Sequence, residues 1–197
     1  MFNLPLQYRY SCPPLTLLLI SFVFAAFDLN SILEFNRNNI NNGELWRIFT
    51  SQFVHANWMH YFLNSTGVIL IWLLHGEYTS PKRYCFNITS LALWCGLGVY
   101  WLCPDISIYT GLSALLHGVI VWGAIKDIQL GLKSGILLFI GIWLKIAHEQ
   151  INGPSSDIAK MIDSTVAIDA HLIGAVGGVV LATPILIALI KKLNAKI

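Results

Sequence analysis

A serine hydroxyl is a poor nucleophile until a neighbouring base takes its proton, and histidine titrates in the range that exchange needs. Ser113, which follows Gly111-Leu112, and His171, in the run Ala170-His171-Leu172-Ile173-Gly174, are the best candidates here for such a pair. Acyl transfer through them passes through a tetrahedral oxyanion that requires fixed donors. His60, Asn64 and the Ser113 backbone N–H could supply those donors. Asn64 lies four positions after His60 and shares its helical face, whereas His55 lies five before and points elsewhere, making it a secondary candidate. Gly174 and Gly178, three and seven positions after His171, leave a stripe without side chains along which two helices can approach closely.

These residues need elements to carry them, and the composition says what kind. Of 197 residues, 56% are apolar and only 11% charged, with a mean hydropathy of +0.66, so the solvent is lipid. A spanning helix takes about 20 residues, which leaves room for roughly six spans in one membrane domain covering the chain. Apolar segments lie near 13–35, 57–76, 84–103, 112–125, 134–151 and 166–190, separated by short polar stretches, and predict an all-α bundle without strands. Arg9 before the run Leu15 to Phe27 has the look of a signal peptide, but no small-x-small cleavage site follows, and the run reads as a retained first span. The fourth segment is too short for a bilayer core of about 30 Å, so its outer end, with Ser113, must lie below the membrane surface. Irregular backbone at such depth is tolerated only where it lines a cavity.

Basic residues in short loops set the orientation. Lys82, Arg83, Lys126, Lys133, Lys191, Lys192 and Lys196 mark cytoplasmic ends, and both termini fall on that side. The loop 104–110 and the acidic stretch 148–169 lie outside, outvoting Arg37 and Arg47 in the first outer loop. His60, Asn64, Ser113 and His171 thereby reach one face at one depth. Each has another reading: a serine at a helix start is an N-cap, a membrane histidine makes an interhelical hydrogen bond, and small-xxx-small stripes pack helices. The conjunction favours chemistry, but periodicity by itself leaves both readings open.

Other features narrow the field. The formal charge of +2 comes without a basic run, which leaves no footprint for nucleic acid. Cys12, Cys85, Cys95 and Cys103 show neither metal spacing nor a disulfide framework. A metalloprotein built on the six histidines is disfavoured because His55 and His60 do not share a helical face, and no metal or cofactor is expected. A transporter with a polar midplane path would show inverted repeats, and none is visible. Gly-x-Ser-x-Gly is absent and no strand precedes Ser113, which excludes an α/β-hydrolase. Asp169, two positions before His171, points about 160° away from it and reads as a helix cap. The segment 155–166, with Ile158, Met161, Ile162 and Val166 at helical spacing, reads as a short amphipathic helix, interfacial or gating.

From about residue 36 to 180 the chain resembles the rhomboid family of intramembrane serine proteases. Trp46-Arg47 resembles the family's Trp-Arg motif, His55, His60 and Asn64 its His-x4-His-x3-Asn pattern, Gly111-Leu112-Ser113 its Gly-x-Ser, and Ala170 to Gly174 with Gly178 its Ala-His-x2-Gly-x3-Gly. The resemblance implies a six-helix bundle and a Ser113–His171 dyad that cuts transmembrane substrates near their outer ends, with His60 and Asn64 as oxyanion donors. It departs at Ala114, where glycine is usual, and at His117, where many rhomboids carry an aromatic residue. His117 either packs on and orients His171 or bonds a backbone carbonyl. The stretch Gly111 to Ala124, with Trp143-Leu144-Lys145, Glu149-Gln150, Gly153-Pro154-Ser155 and Ile168 to His171, resembles the rhombosortase branch in particular. That likeness implies a bacterial inner-membrane protein with its site facing outward. Its substrates would be secreted proteins with a GlyGly-CTERM-type tail, made of a Gly-rich motif, a hydrophobic helix and a basic cluster. The alternative is a rhomboid-like protein that binds membrane clients without cutting them, against which the presence of both Ser113 and His171 argues.

Overall fold

The computed structural model describes residues 4–194. Eight helices organise it: α1 (Tyr8–Ala26), α2 (Trp58–His75), α3 (Pro81–Leu102), α4 (Ser113–Gln129), α5 (Lys133–Asn152), α6 (Ser156–Ile162), α7 (Ile168–Leu181) and α8 (Thr183–Asn194). Three of them, α1, α3 and α5, are long and apolar enough to cross a membrane, and α7 with α8 makes a fourth if that bent pair counts as one span. Helix α2 has the length, but His60, Asn64 and His75 dilute its apolar character, and α4 has only 17 residues. Exposed apolar side chains such as Leu19 and Phe22 on α1 and Leu137 and Leu144 on α5 face outward, as lipid contact demands.

Helix starts follow local chemistry. The Asn57 side chain accepts from the His60 N–H at the start of α2, and the Ser80 hydroxyl accepts from Arg83 N–H at the start of α3, whose first residue is Pro81. Two expected spans change shape. The first, expected over 13–35, ends at Ala26, because Asp28 adopts a left-handed φ of 50° and turns the chain back. The last, expected as continuous over 166–190, breaks at Ala182 and bends by 50°, one residue before the Thr183-Pro184 step that cannot carry a helix through unperturbed.

Between α1 and α2 the chain forms a folded loop of short helical turns. Within it Phe35–Asn36 (β1) pairs antiparallel with Ile108–Tyr109 (β2), a short bridge where no strand was expected. Arg37 holds the loop down: its guanidinium donates to the carbonyls of Val99, Tyr100, Cys103 and Ile106, at and just beyond the C-terminal end of α3. Arg47, buried, pairs with Glu44 and donates to the Glu34 and Ser31 carbonyls. Both arginines of this loop are thus bound to backbone oxygens.

The bundle closes most tightly between α4 and α7. A methyl group at Gly174 would run into the Ala114 carbonyl, and one at Gly178 into the Gly118 carbonyl. Trp94 of α3 ties on by donating its indole N–H to the Ile173 carbonyl at 2.8 Å. At the far end of α4 from Ser113, Asp127 receives the Tyr78 hydroxyl at 2.5 Å and lies 3.2 Å from His75 Nε2, fastening α2 to α4.

Candidate active site

Ser113 opens α4 at the end of a loop that is fixed on three sides. The Gly111 N–H donates to the Ser51 carbonyl at 3.0 Å, and the buried Tyr109 hydroxyl lies 3.0 Å from the Gly111 carbonyl and 3.3 Å from Gln52 Oε1. Gly111 itself has φ of 110°, and a methyl there would meet the His60 imidazole. Ala114 follows in ordinary helical backbone, so the turn does not call for the glycine usual at that position.

His171 sits in the first turn of α7, buried, with Nε2 3.1 Å from Ser113 Oγ. The glycine stripe below it lets α4 and α7 approach closely enough for that contact. His117, one turn after Ser113, stacks its ring on His171 with centroids 4.3 Å apart and also places its Nδ1 2.7 Å from the Ser113 carbonyl.

The pair opens into a cavity of about 800 Å³, which His60 and Asn64 also line. The Ala56 N–H approaches His60 Nδ1 at 3.4 Å, which leaves His60 Nε2 as the donor facing Gly111. Asn64 Nδ2 is buried and has no hydrogen-bond partner. With the Ser113 N–H, one of the first-turn amides that a helix leaves free, these groups make a set of donors beside the Ser113 hydroxyl.

A family model described as Rhomboid domain matches residues 42–188, about three quarters of the chain. The chain belongs to the rhomboid family. This makes it an integral membrane protein of a family of intramembrane serine proteases. No curated protein matches it.

Three residues carried over from rhomboid motifs stand away from the cavity. Trp46 is half exposed and donates to the Ile32 carbonyl at 3.1 Å, and Arg47 is committed to carbonyls of the α1–α2 loop, so both brace that loop. His55 is buried edge-on to His60 with ring centroids 5.1 Å apart, and both its ring nitrogens are unpaired. It packs behind His60. Asp169, expected to cap α7, is exposed within the first turn, and Ala167 holds the cap position.

Two residues of this rhomboid's site come from α5 and were not expected there. Glu149 Oε2 lies 3.0 Å from His171 Nδ1, and Lys145 Nζ lies 2.8 Å from Glu149 Oε1 and 2.8 Å from His117 Nε2. Counting Glu149 with an outer loop hid it, since it belongs to the last turns of a helix. A lysine and a glutamate four apart on a largely apolar helix were the signal available. His117, Glu149 and His171 offer ligand-type atoms within 4.8 Å of one another, a spacing suited to a metal ion. The Lys145 ammonium, bonded to two of the three, already holds their common centre.

Proposed function

We propose that this rhomboid is an active intramembrane serine endopeptidase with Ser113 as nucleophile and His171 as general base. The observation that carries the reading is the 3.1 Å approach of His171 Nε2 to Ser113 Oγ inside an open cavity. Ser113 Oγ attacks the scissile carbonyl carbon as its proton passes to His171 Nε2, and the carbonyl electron pair moves to oxygen. His60 Nε2–H, the Asn64 amide and the Ser113 N–H stabilise that oxyanion. Collapse breaks the C–N bond, with the Nε2 proton going to the departing amine. Water then repeats the cycle on the ester, returning the serine.

For substrates, the reading is a secreted protein with a C-terminal tail of a Gly-rich motif, a hydrophobic helix and a basic cluster. Its support is the likeness of Gly111 to Ala124 and of the Lys145 and Glu149 segments to rhombosortases. Glycine suits such a tail because a helix must unwind before its backbone can reach a nucleophile, and glycine lowers the cost by about 1 kcal/mol per residue. The arrangement proposed is a single membrane domain of six spans, with α2 and α4 as the two polar or short ones and α7–α8 as the bent last. The site opens outward from a bacterial inner membrane, and the termini are cytoplasmic.

The test is co-expression with a tail-bearing secreted protein and mass spectrometry of its C-terminus. A new C-terminus near the Gly-rich motif, lost in Ser113→Ala and in His171→Ala while both variants stay folded in the membrane, is the expected result. Unchanged cleavage by Ser113→Ala would refute the assignment. Tails left intact by a wild-type protein whose Ser113 reacts with a fluorophosphonate would refute the substrate class alone.

A further inference from the structure

Polar contacts around Ser113 form a closed circuit, and the donor and acceptor of each link can be assigned in one way. The Ser113 carbonyl can only accept, so His117 Nδ1 carries the proton in their 2.7 Å contact. His117 Nε2 is then bare, and accepts from Lys145 Nζ at 2.8 Å. A second proton of that ammonium goes to Glu149 Oε1, also at 2.8 Å. The other carboxylate oxygen, Oε2, can only accept, so the 3.0 Å contact with His171 makes Nδ1 its donor. On a neutral His171 ring that leaves Nε2 as the bare nitrogen, and it faces Ser113 Oγ at 3.1 Å. Lys145 also lies 3.4 Å from His171 Nδ1, but a protonated Nδ1 has no lone pair to offer it.

Without the carboxylate the circuit runs the other way at its decisive point. Lys145 would then be the nearest polar group to His171 Nδ1, and an ammonium there donates. Nδ1 would become the acceptor, the ring proton would move to Nε2, and the imidazole would present N–H to a serine that needs a base. Among the described residues no other carboxylate reaches His171, since Asp169 on its own helix is exposed and pairs with nothing.

We infer that Glu149 completes a Ser113–His171–Glu149 triad as a positioning residue, holding His171 in the base-competent tautomer, and that Lys145 locks Glu149 while His117 closes the circuit. The inference rests on the proposed Ser113 nucleophile, and it adds a carboxylate to what the sequence presents as a dyad. During attack the imidazole becomes imidazolium between the departing serine proton and the Glu149 anion, which stabilises that charge without taking the proton.

The experiment uses the full chain in detergent micelles with a fluorophosphonate probe, which forms an Oγ–P bond, expels fluoride and passes the serine proton to His171. Inactivation kinetics give a maximal rate and a half-saturation concentration separately. Glu149→Gln should lower the maximal rate by about 10²- to 10⁴-fold and change the half-saturation concentration by no more than about three-fold, a split that loosened packing would not produce. Glu149→Asp, which keeps the carboxylate, should recover about ten-fold or more over Gln. Nitrogen-15 NMR of the wild-type histidine rings needs no variant and should show His171 protonated at Nδ1 and bare at Nε2. Failure of the wild type to label at Ser113 overturns the nucleophile reading. Wild-type labelling with an unchanged rate in Glu149→Gln, or a His171 ring protonated at Nε2, overturns the triad alone.

Discussion

The carbonyl oxygen of Ala114 occupies the space that any side chain at residue 174 would need. Helices α4 and α7 meet there backbone to backbone, one turn below the Ser113–His171 contact. Gly174→Ala should therefore push the helices apart, lower stability by about 1–3 kcal/mol as overpacking does, and slow fluorophosphonate labelling. Gly141→Ala on α5, where an added methyl meets nothing within 4 Å, should leave both unchanged. Thermal unfolding in detergent with labelling rates compares the two; equal behaviour would show that the close approach is unimportant.

Asn64 holds a buried amide with no partner in the resting site. Asn64→Ala should slow cleavage by about 10- to 1,000-fold, in the range of other single oxyanion-donor losses, mainly in kcat. Unaltered turnover would reduce Asn64 to packing.

Gly111 combines a left-handed backbone with contact against the His60 ring. Gly111→Ala should cost about 1–3 kcal/mol of strain and displace His60 from the cavity. Because His60→Ala already lacks that donor, adding Gly111→Ala to it should slow labelling less than Gly111→Ala does in the wild type. A double-mutant cycle reads this directly, and additive effects would count against it.

Arg37 spreads one guanidinium over four carbonyls where α3 ends. Arg37→Met should destabilise the protein by about 2–4 kcal/mol, since hydrogen bonds from a charged donor are lost and the oxygens stay behind. Arg37→Lys should recover little of this, because a single ammonium cannot reproduce the fork. Unfolding midpoints of the three proteins test the order.

Much of the site was legible because its chemistry is written in short local patterns. Ser113 after Gly111, His171 above a glycine stripe, and Asn64 one turn from His60 all follow from spacing within one short segment each. What spacing could not convey was which face of α5 turns inward. Glu149 is 22 residues from His171 along the chain, and only the packing of α5 against α4 and α7 joins them. Helix extents were recoverable to within a few residues where composition changes sharply, as for α2 and α5. They were misread where one residue redirects the chain, Asp28 by its left-handed backbone and Pro184 by breaking the last helix. The Trp46 and Arg47 motif was visible, but its use as loop bracing depends on carbonyls of Ile32, Ser31 and Glu34 that no pattern announces.

In the proposed mechanism the 2.8 Å ion pair between Lys145 and Glu149 also meets an electrostatic demand of working inside a membrane. An unbalanced charge inside a bilayer costs several kcal/mol. In the proposed circuit the resting cluster sums to zero, one cation against one anion, with one proton on each imidazole. In the proposed attack Ser113 gives up its proton, an imidazolium and an oxyanion arise together, and the total is still zero. The proposed attack thus runs by shifting dipoles, with no stage at which the bilayer must accommodate a net ion.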